Sequence, residues 1–242
     1  MSLSAETWLV LLALGLYLYD ALLLLEAHEM VLVQRAGIWQ PVFGANGWKL
    51  ARREPLMPNP LSPWQPLVRV RWSFEQGLAD GGALAATPAL PAVALAPRIG
   101  VALLWAIVFF ALPLCLFVFR DTVGTLVVIA SLYAAIVFVL LGLRRDAVAF
   151  GLPAGRFRMM CIECIACPPF AINAVRRVTL AAPARAELAW IAAQAGRAGR
   201  LEVLKAQLAR RVAEQIEAEP EGSARSERLA RAARSLAADD AA

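Results

Sequence analysis

Two apolar stretches, IGVALLWAIVFFALPLCLFVF (Ile99 to Phe119) and TVGTLVVIASLYAAIVFVLLGL (Thr122 to Leu143), stand two residues apart. At about 1.5 Å of rise per residue, each is long enough as a helix to cross a hydrocarbon core of roughly 30 Å. With only Arg120 and Asp121 between them, they can fold only as a tight antiparallel helical hairpin. A third stretch, TWLVLLALGLYLYDALLLL (Thr7 to Leu25), has the same character. No Lys or Arg precedes it, it contains Asp20, and it runs into EAHEM instead of a small-residue cleavage site, so it reads as a retained anchor and not as a secretory leader. With 60% hydrophobic and 18% charged residues, the chain is too apolar for an ordinary soluble domain of 242 residues.

The placement of basic residues predicts orientation, because short loops rich in Lys and Arg stay on the cytoplasmic side. Arg144, Arg145, Arg156 and Arg158 follow the third stretch, and Arg35, Lys49, Arg52, Arg53, Arg69, Arg71 and Arg98 lie between the first and second. The N-terminus and the hairpin tip are therefore expected outside, and the C-terminus in the cytoplasm. On this reading the net charge of +5 requires no nucleic-acid partner.

The pattern divides the chain into an anchor (residues 1–29), a small cytoplasmic β subdomain (30–75), an Ala/Pro/Gly linker (76–98), the membrane hairpin (99–143), a juxtamembrane cysteine-containing segment (144–181) and amphipathic helices with a disordered tail (182–242). In the β subdomain IWQPVF and WKLARR flank GANG, a hairpin signal, and PLVRVRWSF alternates as a half-buried strand does. Five prolines in EPLMPNPLSPWQP favour a rigid extended connector. Trp39, Trp48, Trp64 and Trp72 suit core or interface packing better than a ligand-stacking surface. In the C-terminal piece Leu188, Ile191, Leu201, Leu204, Leu208, Val212 and Ile216 recur at helical spacing. The apolar stripe they form needs a cover, for which a second copy of the chain, a partner protein, the small sheet and the inner leaflet are the alternatives.

Residues able to carry chemistry are few. His28 is the only histidine, and no glycine-rich phosphate loop is present, so a hydrolase, kinase or nucleotide-driven transporter is disfavoured. Asp20 is the one ionisable residue inside an apolar stretch; it either relays a proton or cation or lies near headgroup depth beside Tyr17 and Tyr19, and its shallow position favours the latter. The run CIECIACPPFAINAVRR begins with Cys161, Cys164 and Cys167 at two-residue spacing. C-x2-C-x2-C before proline resembles the opening of a bacterial ferredoxin cluster motif, and with His28 as fourth ligand the three thiolates could hold zinc or an iron–sulfur cluster. The apolar surroundings and the incomplete pattern favour packing instead.

Together these features predict an α-helical membrane protein of the bacterial inner membrane, with three transmembrane helices, a small antiparallel β subdomain and a C-terminal amphipathic helical region. The expected role is that of an anchor or accessory scaffold, more a binding protein than an enzyme, working with a protein partner or as a homo-oligomer. The alternatives are a metal or redox protein using the cysteine triplet, and an oligomeric transporter using Asp20.

Overall fold

Arg120 and Asp121 close the hairpin by capping both of its helices. In the computed structural model Arg120 takes a left-handed conformation, with φ 51°, and returns its amide to the Cys115 carbonyl at 2.8 Å. The Asp121 carboxylate accepts from the amides of Val123 and Gly124 at 3.2 and 2.7 Å. These contacts satisfy backbone groups that the helix ends would otherwise leave unpaired. The structure describes residues 4–26, 28–35, 38–45, 48–51, 53–71, 92–181, 184, 185, 191, 195–197, 199–218, 227 and 230. Most of the expected linker, Trp72, part of the GANG turn and nearly all of the expected helix and tail beyond residue 218 lie outside these.

The first helix of the hairpin, α2 (Leu95–Ala106), starts four residues before the apolar stretch and continues through π-helical turns at Ile107–Ala111 and Leu114–Phe119. Pro113, between those turns, has no N–H and crowds the carbonyl four residues back, so the winding widens around it. The second, α3 (Thr122–Ala149), packs along α2 and buries Leu132, Ile136, Val139, Leu143 and Ala147 at three- to four-residue spacing. At Gly100 an added Cβ would stand 2.5 Å from Val139 Cγ2, so the close approach of the helices needs a residue without one. Only 17% of the apolar window of α2 with its π-helical continuation, and 33% of that of α3, is buried. A core helix of a soluble protein would be mostly covered, whereas these leave Phe110, Val127, Phe138 and Leu141 open. Two helices are thus long and apolar enough to cross a membrane.

The N-terminal apolar run is divided differently from expectation. Ser4 caps α1 (Ala5–Ala21), which ends four residues before Leu25, and the leucines that follow form strand β1 (Leu23–Leu25). Apolar composition alone does not separate helix from strand, and here pairing with a partner strand decides.

Two compact units emerge. The first comprises residues 1–23, 57–67 and 90–182. It contains α1, α2, α3 and three further helices, α4 (Ala154–Ala166), α5 (Pro168–Ile172) and α6 (Ala174–Thr179). The proline-rich stretch assigned from sequence to the β subdomain thus belongs mainly with the helices.

The second unit takes in residues 24–56, 68–89 and 183–242. Its strands are β2 (Glu29–Arg35), β3 (Ile38–Val42), β4 (Glu54–Leu56), β5 (Leu67–Arg71) and β6 (Ala184–Arg185), with the helix α7 (Leu201–Ala218). The sheet order is β3-β2-β5-β6, and β1 pairs with β4. The hairpin is not the one expected. IWQPV pairs antiparallel with the strand before it, in the register Val31↔Val42 to Arg35↔Ile38, whereas among the described residues WKLARR contributes the isolated Leu50↔Arg53 bridge. Arg35 and Ile38, three positions apart, already pair, and closing so short a separation costs less chain entropy than the GANG alternative. The strand expected in PLVRVRWSF is β5. Ala184 and Arg185 pair in parallel with Val70 and Arg71, so the start of the expected first tail helix is strand.

Candidate functional site

The cysteine–proline run folds into three short helices because its prolines and Asn173 interrupt it. Cys167 leaves the helical region at φ −134° and ψ 85°, as a residue before proline tends to, and Pro168 then opens α5 at a position that needs no N–H donor. Asn173 sits between α5 and α6. The outcome is that Asn173, Arg176 and Thr179 are all buried.

Each of the three holds another part of the chain by its backbone. Asn173 Nδ2 donates to the Tyr17 carbonyl at 3.1 Å. Arg176 Nη2 donates to the carbonyls of Asn59 and Ser62 at 2.7 and 2.8 Å. The Thr179 hydroxyl accepts from the Leu67 amide at 3.1 Å and donates to the Arg176 carbonyl at 3.2 Å. Tyr17, from α1, donates its hydroxyl to the Pro60 carbonyl. The two most distinctive stretches of the sequence, PNPLSP and AINAVRR, therefore meet. A proline-rich segment has few N–H donors of its own, so it cannot join a ladder, and its carbonyls need side-chain donors when buried. Burial pushes the Arg176 guanidinium down from its ordinary value, against the Tyr17 hydroxyl, yet an arginine remains charged. Its Nε and Nη1 have no hydrogen-bond partner among the described residues.

Arg177 faces the acidic residues. Its Nη2 donates to Glu163, its Nε lies 3.9 Å from Asp20 Oδ1, and its guanidinium is 5.8 Å from the centre of the Phe170 ring. Asp20 is thus next to a fixed cation, which offsets the cost of an ionised carboxylate there.

The cysteines stand at the end of α4. Cys161 and Cys164 are one turn apart, and Cys167 follows the last helical residue. Cys164 is completely buried, and that burial pushes its thiol up to about 12; burial raises Cys161 and Cys167 as well. Metal binding and nucleophilic attack both use the thiolate, so this environment opposes them. His28 belongs to the second unit, where its Nε2 is 3.3 Å from Glu26. One ligand atom from each of Glu26, His28 and Glu29 falls within a 4.8 Å group. The donor set suits a cation poorly, because Glu26 also meets Arg53, and Glu29 meets Arg69 and Arg71 at 3.5 and 3.2 Å. Burial works against the Glu29 charge, but the Glu26 amide and the two arginines hold its carboxyl below the usual carboxylate range.

A second buried arginine marks the second unit. Arg211, on α7, donates from Nη2 to Glu54 and from Nη1 to the Glu29 carbonyl at 3.3 Å, and lies 4.6 Å from the centre of the Phe43 ring. Arg210 adds a 3.9 Å approach to Glu54, and Lys49 bonds Glu214 at 2.6 Å. Of the four covers considered for the apolar stripe, the small sheet's unit supplies one: Leu204, Leu208 and Val212 are buried where these ionic contacts anchor the helix. Sequence reasoning missed Arg176, Asn173, Thr179 and Arg211. For Arg211 a signal existed, since it continues the spacing Leu201, Leu204, Leu208 and so occupies a stripe position. Comparison of the chain with protein-family models, curated proteins and solved structures returns no match.

Proposed function

We propose that the chain is a membrane anchor and accessory protein that presents a cytoplasmic docking module. On this reading α1, α2 and α3 all span the bacterial inner membrane, with the N-terminus and hairpin tip outside. Support for the third span comes from α1, whose 17 residues rise about 25 Å and expose Trp8, Leu9, Leu11, Leu12 and Leu14. The second unit, with its own core and ionic lock, is the docking module.

The observation that carries this reading is the outward face of α7. With one face of the helix buried, Val203, Ala206, Ala209 and Ala213 remain exposed on it. The face is small at its centre and carries the exposed Glu202 and Glu217 toward its two ends; its small residues let another helix approach closely, which suits a protein partner or a second copy of the chain. The test is purification of the full-length protein from native membranes in a mild detergent, followed by mass measurement of the intact complex. A stoichiometric partner or a dimer is expected, and Ala209→Glu, at an exposed position, should release it while the chain stays folded. A monomer without partner, or a complex indifferent to Ala209→Glu, would remove the docking role.

A further inference from the structure

Helix α4 is apolar on two sides. Met160 and Cys164 face inward and are buried, while Met159, Ile162 and Ile165, three residues apart, are exposed. Arg156 and Arg158 are exposed near its start, and Arg144 and Arg145 near the end of α3. An exposed apolar stripe bordered by cations is the pattern of a helix lying in the headgroup plane of a bilayer.

Beside this stripe lies a cavity of about 270 Å³ whose lining includes Leu152, Arg156, Met159, Met160, Glu163 and Arg177. Two guanidinium groups and two thioethers thus share one wall system. Glu163, the acid in the lining, pairs with Arg177, which also stands 3.9 Å from Asp20, so the positive surplus beside the cavity comes from Arg156 and the exposed arginines around it. Arg177 keeps its Nη1 buried and without a hydrogen-bond partner among the described residues, so a small turn of the guanidinium would bring an unused donor to a ligand in the cavity. No carboxylate pairs with Arg156 among the described residues. Nearby, Asp146, which is buried and accepts the Ala94 amide at 3.2 Å, offsets one charge of the four exposed arginines Arg144, Arg145, Arg156 and Arg158 and leaves the surplus positive.

We propose that this cavity binds the phosphate of an anionic phospholipid, held by Arg156 and Arg177, with the acyl chains lying along Met159, Ile162 and Ile165. Guanidinium groups bind phosphate through paired N–H donors, and the surplus of arginines selects a headgroup with net negative charge over a zwitterionic one. The apolar stripe beside the cavity accounts for a lipid in preference to a free anion. This inference rests on membrane insertion as proposed above, but not on the docking role of the second unit.

The test uses the full-length chain in a non-ionic detergent, titrated with phosphatidylglycerol or phosphatidylcholine and read by native mass spectrometry. One phosphatidylglycerol per chain should be retained at least tenfold more tightly than phosphatidylcholine. Arg156→Gln should weaken it roughly tenfold, whereas Arg120→Gln at the hairpin tip should not. Millimolar inorganic phosphate should fail to displace the lipid. Equal retention of the two lipids, an unaffected Arg156→Gln, or displacement by phosphate would each overturn the proposal. Alkaline carbonate washing of membranes separates the two readings: a protein that stays in the membrane but shows no lipid preference loses only the lipid site, and one that washes off loses the membrane reading too.

Discussion

Each of the two units buries an arginine almost completely, Arg176 to 2% exposure and Arg211 to 1%, and the two are satisfied in opposite ways. Arg176 gives its hydrogen bonds to backbone carbonyls of a proline-rich segment. Arg211 meets the Glu54 carboxylate, a carbonyl and an aromatic face. Burial pushes both guanidinium groups below their ordinary value, and for Arg211 the Glu54 charge pulls the other way. The difference teaches what each unit lacks. In the helical unit the deficit is of N–H donors, and an arginine with several donors in one plane supplies them. In the sheet unit α7 arrives from a distant part of the chain, and a charge pair specifies where it docks.

Removing the charge pair should break the comparison most strongly. Arg211→Ala leaves the buried Glu54 with only the 3.9 Å approach of Arg210 among the described residues, and breaking a buried pair in this way costs up to about 3–5 kcal/mol. Hydrogen exchange should show α7 and β4 deprotected while α2 and α3 keep their protection. Because an apolar pair of similar volume can replace a buried ion pair, Arg211→Met combined with Glu54→Leu should recover most of the loss. A single Arg211→Ala that costs under about 1 kcal/mol would show that packing alone docks the helix.

Arg176→Ala should come next, at about 1–3 kcal/mol for each carbonyl it strands, with its effect confined to the helical unit. Arg176→Lys should restore only part, since one ammonium cannot reproduce the planar fork. The readout is exchange at Asn59 to Ser62 and α6; loss of protection in the sheet unit instead would contradict the separation drawn here. Gly100→Ala sharpens the same separation from within the hairpin. Its new methyl would overlap Val139, and an overpacked contact of this kind costs about 1–3 kcal/mol, so heat resistance should fall without any change in the exchange of β2 or α7.

How much of this was legible follows from where each interaction acts. The α2–α3 hairpin was readable because hydropathy and a two-residue spacing are local properties, and β5 because alternation is local too. The leucines at 23–25 were not, since their state depends on pairing with Glu54–Leu56, thirty residues on. The β2–β3 hairpin was misplaced because IWQPV had a candidate partner on each side in sequence, and the one with fewer intervening residues won. In the candidate site the sequence drew attention to the cysteines, a chemically conspicuous residue type. The structure gives the larger role to Arg176, Asn173 and Thr179, which gain it only through backbone groups more than a hundred positions away, carbonyls for the first two and the Leu67 amide for Thr179. No spacing rule reaches that far.

The smallest expected effects belong to the cysteines and to pH. The Cys164 thiol, raised by burial to about 12, is protonated in the folded chain well above the pH at which an unfolded cysteine ionises, near 8.5. The folded state then binds a proton that the unfolded state has lost. Stability from this group is therefore complete below about pH 8.5 and declines as pH rises toward 12. Glu29, held below the carboxylate range, behaves in the reverse sense: its contribution is present above the unfolded carboxyl pKa and disappears as pH falls through the folded one. Alkali should accordingly weaken the helical unit first and acid the sheet unit, a contrast that exchange measured across the pH range would reveal or refute. Alkylation at pH 8 should label Cys161 ahead of Cys164. Cys164→Ala should cost about 1–2 kcal/mol, the price of a small packing defect, and protein purified without chelator under anaerobic conditions should carry no stoichiometric zinc or iron. About one metal equivalent, absent in Cys164→Ser and reduced in His28→Ala, would require these thiols to ionise despite their burial; the metal reading would then displace packing as the reason for the triplet.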